Sequence, residues 1–435
     1  MNIIRVEQSG PLHGTVKIQG SKNSSLALMT ACCLADSPVT LSGIPDIYDI
    51  RVICRIAEDI GMKTEKLPNG DILLDPRTIS SAVIDKDLAS AYRASYYFAG
   101  ALLAKFGKVS IGFPGGDNFV SRPIDQHIKG LTAMGAVFSF FEDHYTVEAS
   151  KLKGADIYFD TITSGATINC MLAAVLAEGR TVLRGAAKDP EVVDTAVMLN
   201  KFGAKIYGAG TDTIRIDGVK SLNGGHYTVI PDRLIAGAFL MAAGITGGSV
   251  TVTDVIPDHL GSCLSKLTEI GLEIECRDQS ITATRTGRLR ATRVRTAMYP
   301  GFATDLQQPL TALLTQASGK SIITEKVFPK RFQHVAQLRR MGANIELSGS
   351  TAYIRGGSPL SGSWVHATDV RAGTCLLLAG LIADGSTFIT GIEHIERGYE
   401  DAIGAFRALG ANMTLEQVDT DFAEEKLRIA AAKHW

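Results

Sequence analysis

A chain of 435 residues is too long for one ordinary hydrophobic core, and 45% apolar against 20% charged residues supplies enough material for two cores without disorder. Its 45 acidic and 44 basic side chains nearly cancel, which excludes the overall field of a nucleic-acid or anionic-membrane binder and makes any anion site a local arrangement. The N-terminal segment MNIIRVEQSGPLHG lacks the apolar run of a signal peptide, and no stretch reaches the roughly 18 uninterrupted apolar residues of a membrane span. A cytoplasmic protein is expected, with no nucleic-acid, membrane or obligate protein partner. Cys32, Cys33, Cys54, Cys170, Cys263, Cys276 and Cys375 form no CxxC pair and no cluster with histidine, so reduced core thiols are expected and metal ligands are not.

Taken in chain order, the elements repeat with a period of roughly 70 residues. Each repeat opens with a polar hinge and an apolar helix: GSKNSSLALMTACCLA, AYRASYYFAGALLAKFG, TSGATINCMLAAVLAEG, PDRLIAGAFLMAAGITGG, TDLQQPLTALLTQASG and TDVRAGTCLLLAGLIADG. A β-branched strand follows in each, from SPVTLSGIP in the first to STFITGIEH in the last. A second helix then ends at a glycine stop that runs into an alternating strand, as in LTAMGAVFSFF, LNKFGAKIYG and LRRMGANIEL. The grammar is strand, helix, strand, helix, strand, strand, written six times.

The first helix of each repeat is apolar nearly all round, which places it inside a domain with sheets outside. Three repeats per domain are expected, one domain over 21–229 and the other over 1–20 with 230–435, the N-terminal strand crossing to the second. A solenoid is the competing architecture, because stacked repeats also show a fixed period.

Basic residues stand at the hinges, where exposed helix N–H groups and the helix dipole favour anions. Lys22, Arg93, Arg233 and Arg371 occupy corresponding places in four repeats; solvated caps or interdomain ion pairs are the plain alternative. Arg122 in PGGDNFVSRP, Arg331 in FPKRFQHV and Arg397 in IERGYE add planar forks suited to carboxylate and phosphate. Asp305 puts a carboxylate where other hinges carry a cation, and reads either as a helix N-cap or as a general base.

The motifs GSKNSSLAL, PGG followed by RPIDQHIKGL, SGAT, DPEVVD, IPDR, FATD and HIERGYE, spread in order over essentially the whole chain, resemble those of the enolpyruvyl transferases, within them the branch acting on UDP-N-acetylglucosamine. That resemblance implies a two-domain inside-out α/β barrel of six βαβαββ units. It also implies transfer of the enolpyruvyl group of phosphoenolpyruvate to a sugar 3-hydroxyl by addition and elimination, the opening step of peptidoglycan synthesis. By the same likeness Asp305 removes the hydroxyl proton and Asp117 protonates C3. Lys22, Arg122 and Arg397 hold phosphate, Arg331 and Arg371 neutralise the carboxylate, and Asn23, Arg93, Arg122, Pro123, Ile124, Asp125, His127, Thr163, Ser164, Gly165, Asp305 and Val327 surround the UDP-sugar. No metal or cofactor is expected, since lysine and arginine supply the positive charge.

Asp117 stands where most members of that family have a cysteine. A carboxylic acid can deliver the same proton if its surroundings keep it protonated, and fosfomycin, which alkylates the cysteine, is expected to be without effect. Gln126, Tyr97 and Thr161 also depart from the family's pattern, which leaves open an acceptor that is another uridine nucleotide. A non-catalytic nucleotide-sugar-binding paralogue and a member of the family's shikimate-pathway branch stay open as well.

Overall fold

The structure is a computed structural model that describes residues 1–116 and 123–432. The chain divides into two compact units, one of Gln19–Ile230 and one of Met1–Ile18 with Pro231–Trp435. Each unit has its own continuous core of buried aliphatic and aromatic side chains.

Six four-stranded sheets carry one topology. In the third repeat, Asp156–Tyr158 pairs in parallel with Arg180–Arg184, which pairs antiparallel with Thr213–Asp217, whose other neighbour is the hairpin partner Lys205–Tyr207. The second and fifth repeats follow the same order. In the other three, one strand arrives from a distant part of the chain. Asn2–Val6 fills the third place beside Thr387–Thr390 and Met413–Gln417. His13–Lys17 lies parallel to Ser249–Thr253, and Gly225–Thr228 lies parallel to Val39–Ser42. Among the described residues no ladder joins one sheet to the next, so each unit is three separate sheets rather than one closed barrel of strands.

The apolar helices are buried as their composition requires. Arg233–Thr246 exposes no side chain from Leu234 to Ile245, and Ser164–Ala174 is buried from Gly165 onward. In the second unit Arg233–Thr246, Gln307–Leu314 and Val370–Gly380 all touch one another. A solenoid would leave its first and last repeats apart, so mutual contact of three such helices rules that architecture out.

Local chemistry sets the ends of these elements. Ser21, Thr163, Asp232 and Asp369 each turn a side-chain oxygen to an amide of the first helical turn. The second helix of every repeat stops at a glycine with positive φ: Gly61, Gly135, Gly203, Gly271, Gly342 and Gly410 lie between 93° and 113°. Only glycine adopts that backbone without a Cβ penalty, so one residue type ends six helices and launches six strands. Among the described residues no helix is long and apolar enough to cross a membrane.

Candidate active site

Within the unit of Gln19–Ile230, two groups of the expected residues assemble. Lys22 is the first residue of the helix Lys22–Ala31, and its Nζ lies 2.7 Å from Asp49 Oδ2 on the helix Tyr48–Asp59. The carboxylate is 3% exposed and the ammonium 14%, so Asp49 aims the lysine rather than merely screening it. Asn23 follows Lys22, and the next residue, Ser24, donates to Asp194. Asp194 also accepts from Tyr227 Oη at 2.6 Å and from the Ile230 amide at 3.4 Å, and its burial raises its pKa.

The second group centres on His127, on the helix Asp125–Ala133. Gly100 N–H donates to Asn169 Oδ1 at 2.8 Å, which turns the Asn169 amide nitrogen toward His127 Nδ1 at 3.0 Å. Nδ1 therefore accepts, and the proton of the neutral ring resides on Nε2. Burial and then the nearby Arg93 charge lower the His127 pKa to about 3. The Tyr96 ring meets the His127 ring edge-on at 4.3 Å, and the Arg93 guanidinium lies 5.8 Å from the Tyr96 ring centre. Both rings rest on bare backbone at Gly165, where a Cβ would fall 2.5 Å from Tyr96 Oη and 3.2 Å from His127 Nε2. Thr163 caps the helix that begins at Ser164, bringing Thr163, Ser164 and Gly165 to the His127 group.

Arg93 opens a short 3-10 turn, Arg93–Tyr96, that runs directly into the apolar helix starting at Tyr97. Gln126 is 7% exposed and committed to protein: its Oε1 accepts the Asp160 amide at 2.9 Å and its Nε2 donates to Asp125 at 2.8 Å. Tyr97 is buried in the core, whereas Pro123 and Thr161 are exposed and Ile124 is half-buried. Asp117 and Arg122 lie outside the described residues.

In the unit containing Pro231–Trp435, Asp305, Arg331 and Arg371 form one ionic cluster. Arg331 Nη1 donates to Asp305 Oδ1 at 2.6 Å, and Arg371 Nε donates to Asp305 Oδ2 at 3.3 Å. The guanidiniums are 3% and 7% exposed and Asp305 is 28% exposed, so the cluster presents its carboxylate outward over two buried cations. Burial pushes the Asp305 pKa up, but the two guanidiniums outweigh it and hold the carboxyl well below the usual range. The N-cap role for Asp305 is not adopted, because its carboxylate bonds guanidiniums and no side-chain cap bond is made at that helix start. Nor is Arg371 a solvated cap, since it is spent on Asp305 within its own unit.

Supporting groups complete the cluster. Gln308 Oε1 accepts from Arg331 Nε at 2.8 Å when its amide faces the Thr304 carbonyl, and Thr304 Oγ1 accepts from Arg331 Nη1 at 3.2 Å. Asp369 caps the helix of Arg371 and lies 3.9 Å from Arg331 Nη2. Arg397 ends the short helix Ile392–Glu396; the next residue, Gly398, sits where a Cβ would meet Val370 at 2.4 Å, and Tyr399 Oη accepts from Thr374. Arg397 is therefore brought to the N-terminal end of the helix carrying Arg371. Val327 lies in the turn leading to Arg331, its amide bonded to Glu325 at 2.8 Å. Arg233 starts its own helix and packs 5.2 Å from the Tyr299 ring centre.

Asp49, Asp194, Asn169, Thr304, Gln308, Glu325 and Asp369 were not legible as site supports. Only Asp369 carried a local signal, a capping residue two places before Arg371, much as Asp232 stands just before Arg233.

One consequence is a specific acid sensitivity. His334 is 1% exposed and, like His127, is pushed to a pKa of about 3, by burial and then by the Arg331 charge. Between about pH 6.5 and 3 the unfolded chain binds these two protons and the folded chain does not, so stability falls as pH drops through that window. The expected slope is up to about 1.4 kcal/mol per pH unit for each histidine. Melting temperatures at pH 7 and 5 should fall for the native chain and fall less for a folded His334→Gln variant; parallel losses would exclude His334 as a cause.

The chain matches the family model described as EPSP synthase (3-phosphoshikimate 1-carboxyvinyltransferase) over residues 6–406. It is 45% identical over 425 residues to UDP-N-acetylglucosamine 1-carboxyvinyltransferase 2 of Bacillus anthracis, covering 98% of this chain and 99% of that one. Against proteins of the same name it is 47% identical in Listeria monocytogenes serotype 4b, over 93% of this chain and 95% of that one, and 46% identical in Bacillus subtilis (strain 168), over 98% and 99%. Solved structures of other enolpyruvyl transferases share its fold. The enolpyruvyl transferase NikO from Streptomyces tendae superposes with a TM-score of 0.88 at 24% identity, covering 96% of this chain and 99% of that one. An EPSP synthase from Acinetobacter baumannii gives 0.74 at 19% identity, covering 96% and 100%.

Proposed function

The chain belongs to the carboxyvinyl (enolpyruvyl) transferase family of EPSP synthase, and from that premise we propose that it transfers the enolpyruvyl group of phosphoenolpyruvate to the 3-hydroxyl of UDP-N-acetylglucosamine, releasing phosphate. The observation that carries this reading is the carboxylate of Asp305 seated on two buried guanidiniums, in a chain 45% identical to relatives named for that reaction.

The cluster suits the chemistry through its charge balance. Without ligand, Asp305 is the counter-ion of Arg331 and Arg371 and is therefore a poor base. A substrate carboxylate that binds the same two forks shares their charge, which loosens their hold on Asp305 and raises its basicity when a hydroxyl needs deprotonating. The hydroxyl oxygen then attacks C2 of phosphoenolpyruvate while C3 takes a proton, giving a tetrahedral ketal; loss of phosphate with a C3 proton regenerates the enol ether. Lys22, Arg122 and Arg397 act on the phosphate, whose negative charge grows as it leaves. His127 offers an Nε2–H donor to the nucleotide sugar, and Arg93, Asn23, Asp125 and the segment Thr163–Gly165 contribute its further contacts.

Asp117 supplies the C3 proton in this reading. An aspartate offers no thiolate to an epoxide, so activity and intact mass should both survive incubation with fosfomycin; progressive inactivation with a mass increase of one adduct would refute the assignment.

The acceptor is tested by mass spectrometry of the product from phosphoenolpyruvate and UDP-N-acetylglucosamine. A product heavier than the acceptor by one enolpyruvyl group, with equimolar phosphate, is the expected result. Phosphate release only with shikimate 3-phosphate, or only with another uridine nucleotide, would overturn it.

A further inference from the structure

We propose that Glu325 is a positioning residue for the Asp305–Arg331 pair, acting through the hydroxyl of Thr304; the inference rests on the carboxyvinyl transfer reading above. Glu325 follows the strand Lys320–Thr324 and is 0% exposed. A carboxylate so placed is costly unless its lone pairs are filled, and here they are filled by neutral donors. Oε1 accepts from Thr296 Oγ1 at 2.5 Å and from the amides of Val327 and Phe328 at 2.8 and 2.9 Å. Oε2 accepts from Thr304 Oγ1 at 2.9 Å.

The polarity of this chain of hydrogen bonds is its content. An ionised carboxylate only accepts, so Thr304 has to donate to it, which leaves a lone pair of the same hydroxyl for Arg331 Nη1 at 3.2 Å. That Nη1 is the nitrogen that reaches Asp305 Oδ1 at 2.6 Å. Glu325 reaches Arg331 by a second route, because the two amides it anchors open the turn that closes at the Arg331 amide, bonded to the Phe328 carbonyl at 2.9 Å. Thr304 also immediately precedes Asp305. One buried charge thus orients both members of the pair from behind without touching the substrate.

The substitution Glu325→Gln tests the polarity. The amide oxygen has to take the Oε1 place, which receives three donors, so the NH2 faces Thr304. Thr304 then receives where it formerly gave, its proton is turned out of the chain, and the negative charge that polarises it toward Arg331 is gone.

The experiment uses the full-length enzyme with both substrates varied. Glu325→Gln is expected to raise KM for phosphoenolpyruvate at least ten-fold and lower kcat about ten-fold, with KM for UDP-N-acetylglucosamine changed by less than three-fold. Thr304→Val is expected to reproduce that split, the double variant to be no more than about three-fold worse than either single one, and Thr304→Ser to regain most of what valine loses. A crystal structure of Glu325→Gln should show the Arg331 Nη1 to Asp305 Oδ1 contact lengthened. Unchanged kinetics in folded Glu325→Gln would overturn the proposal. So would equal losses for both substrates with a normal Thr304→Val enzyme, since Glu325 would then serve only the fold. If the native chain fails to release phosphate with this acceptor, the functional reading falls, and the Arg331 geometry in the variant still decides the role of Glu325.

Discussion

Replacing Asp305 with asparagine is expected to lower kcat about a thousand-fold, within the range that removal of a positioned general base produces. Affinity for UDP-N-acetylglucosamine should stay within a few-fold, because the base acts on the hydroxyl only as the bond forms. Affinity for phosphoenolpyruvate should improve, since Asp305 competes with the substrate carboxylate for Arg331 and Arg371 in the ligand-free molecule. The variant thus combines lost turnover with a lower KM for one substrate, a pattern that simple misfolding does not produce. Its stability cost should be less than the roughly 3–5 kcal/mol of breaking a fully buried pair, because the carboxylate is 28% exposed. Steady-state kinetics and calorimetric binding of each substrate measure these quantities. Turnover within ten-fold of the native rate would reduce Asp305 to a counter-ion.

Arg331→Lys is the second large effect, and it separates charge from geometry. Arg331 uses Nη1 for Asp305 and Thr304 and Nε for Gln308, from a side chain 3% exposed. Lysine keeps the charge but has one nitrogen, and it cannot serve these partners and a carboxylate from one fixed plane. Losing about two charge-assisted hydrogen bonds, each on the order of 1.5–3 kcal/mol, corresponds to a fall in kcat/KM for phosphoenolpyruvate of about a thousand-fold. The acceptor constants should move little, and the melting temperature should drop by several degrees because the Gln308 and Thr304 acceptors lose their donor. Equal weakening of both substrates would show that Arg331 is not the carboxylate fork.

Both results depend on a low Asp305 pKa, whose effect on pH dependence has a definite sign. A carboxyl held below its unfolded value stabilises the fold above about pH 3.9 and loses that contribution as pH falls toward its folded value. The two buried histidines act at higher pH and in the same direction, so acid removes first the histidine contribution and then that of the ionic cluster.

The sequence alone determined the sixfold βαβαββ grammar and the family, because these are written in short-range signals. Apolar helices, β-branched strands, capping residues and the six glycines of positive φ each act over a few neighbours, and their repetition makes the pattern readable. The same local reading could not decide whether Asp305 caps a helix or acts as a general base. Only the tertiary structure removed the capping role, joining Asp305 to Arg331 across 26 positions and to Arg371 across 66. It likewise set Asp49 against Lys22 and gave Glu325 its hydroxyl and amide partners. The reason is physical: a buried charge takes its partners from whatever the packing of separate elements brings within hydrogen-bond reach, and no spacing along the chain encodes that distance.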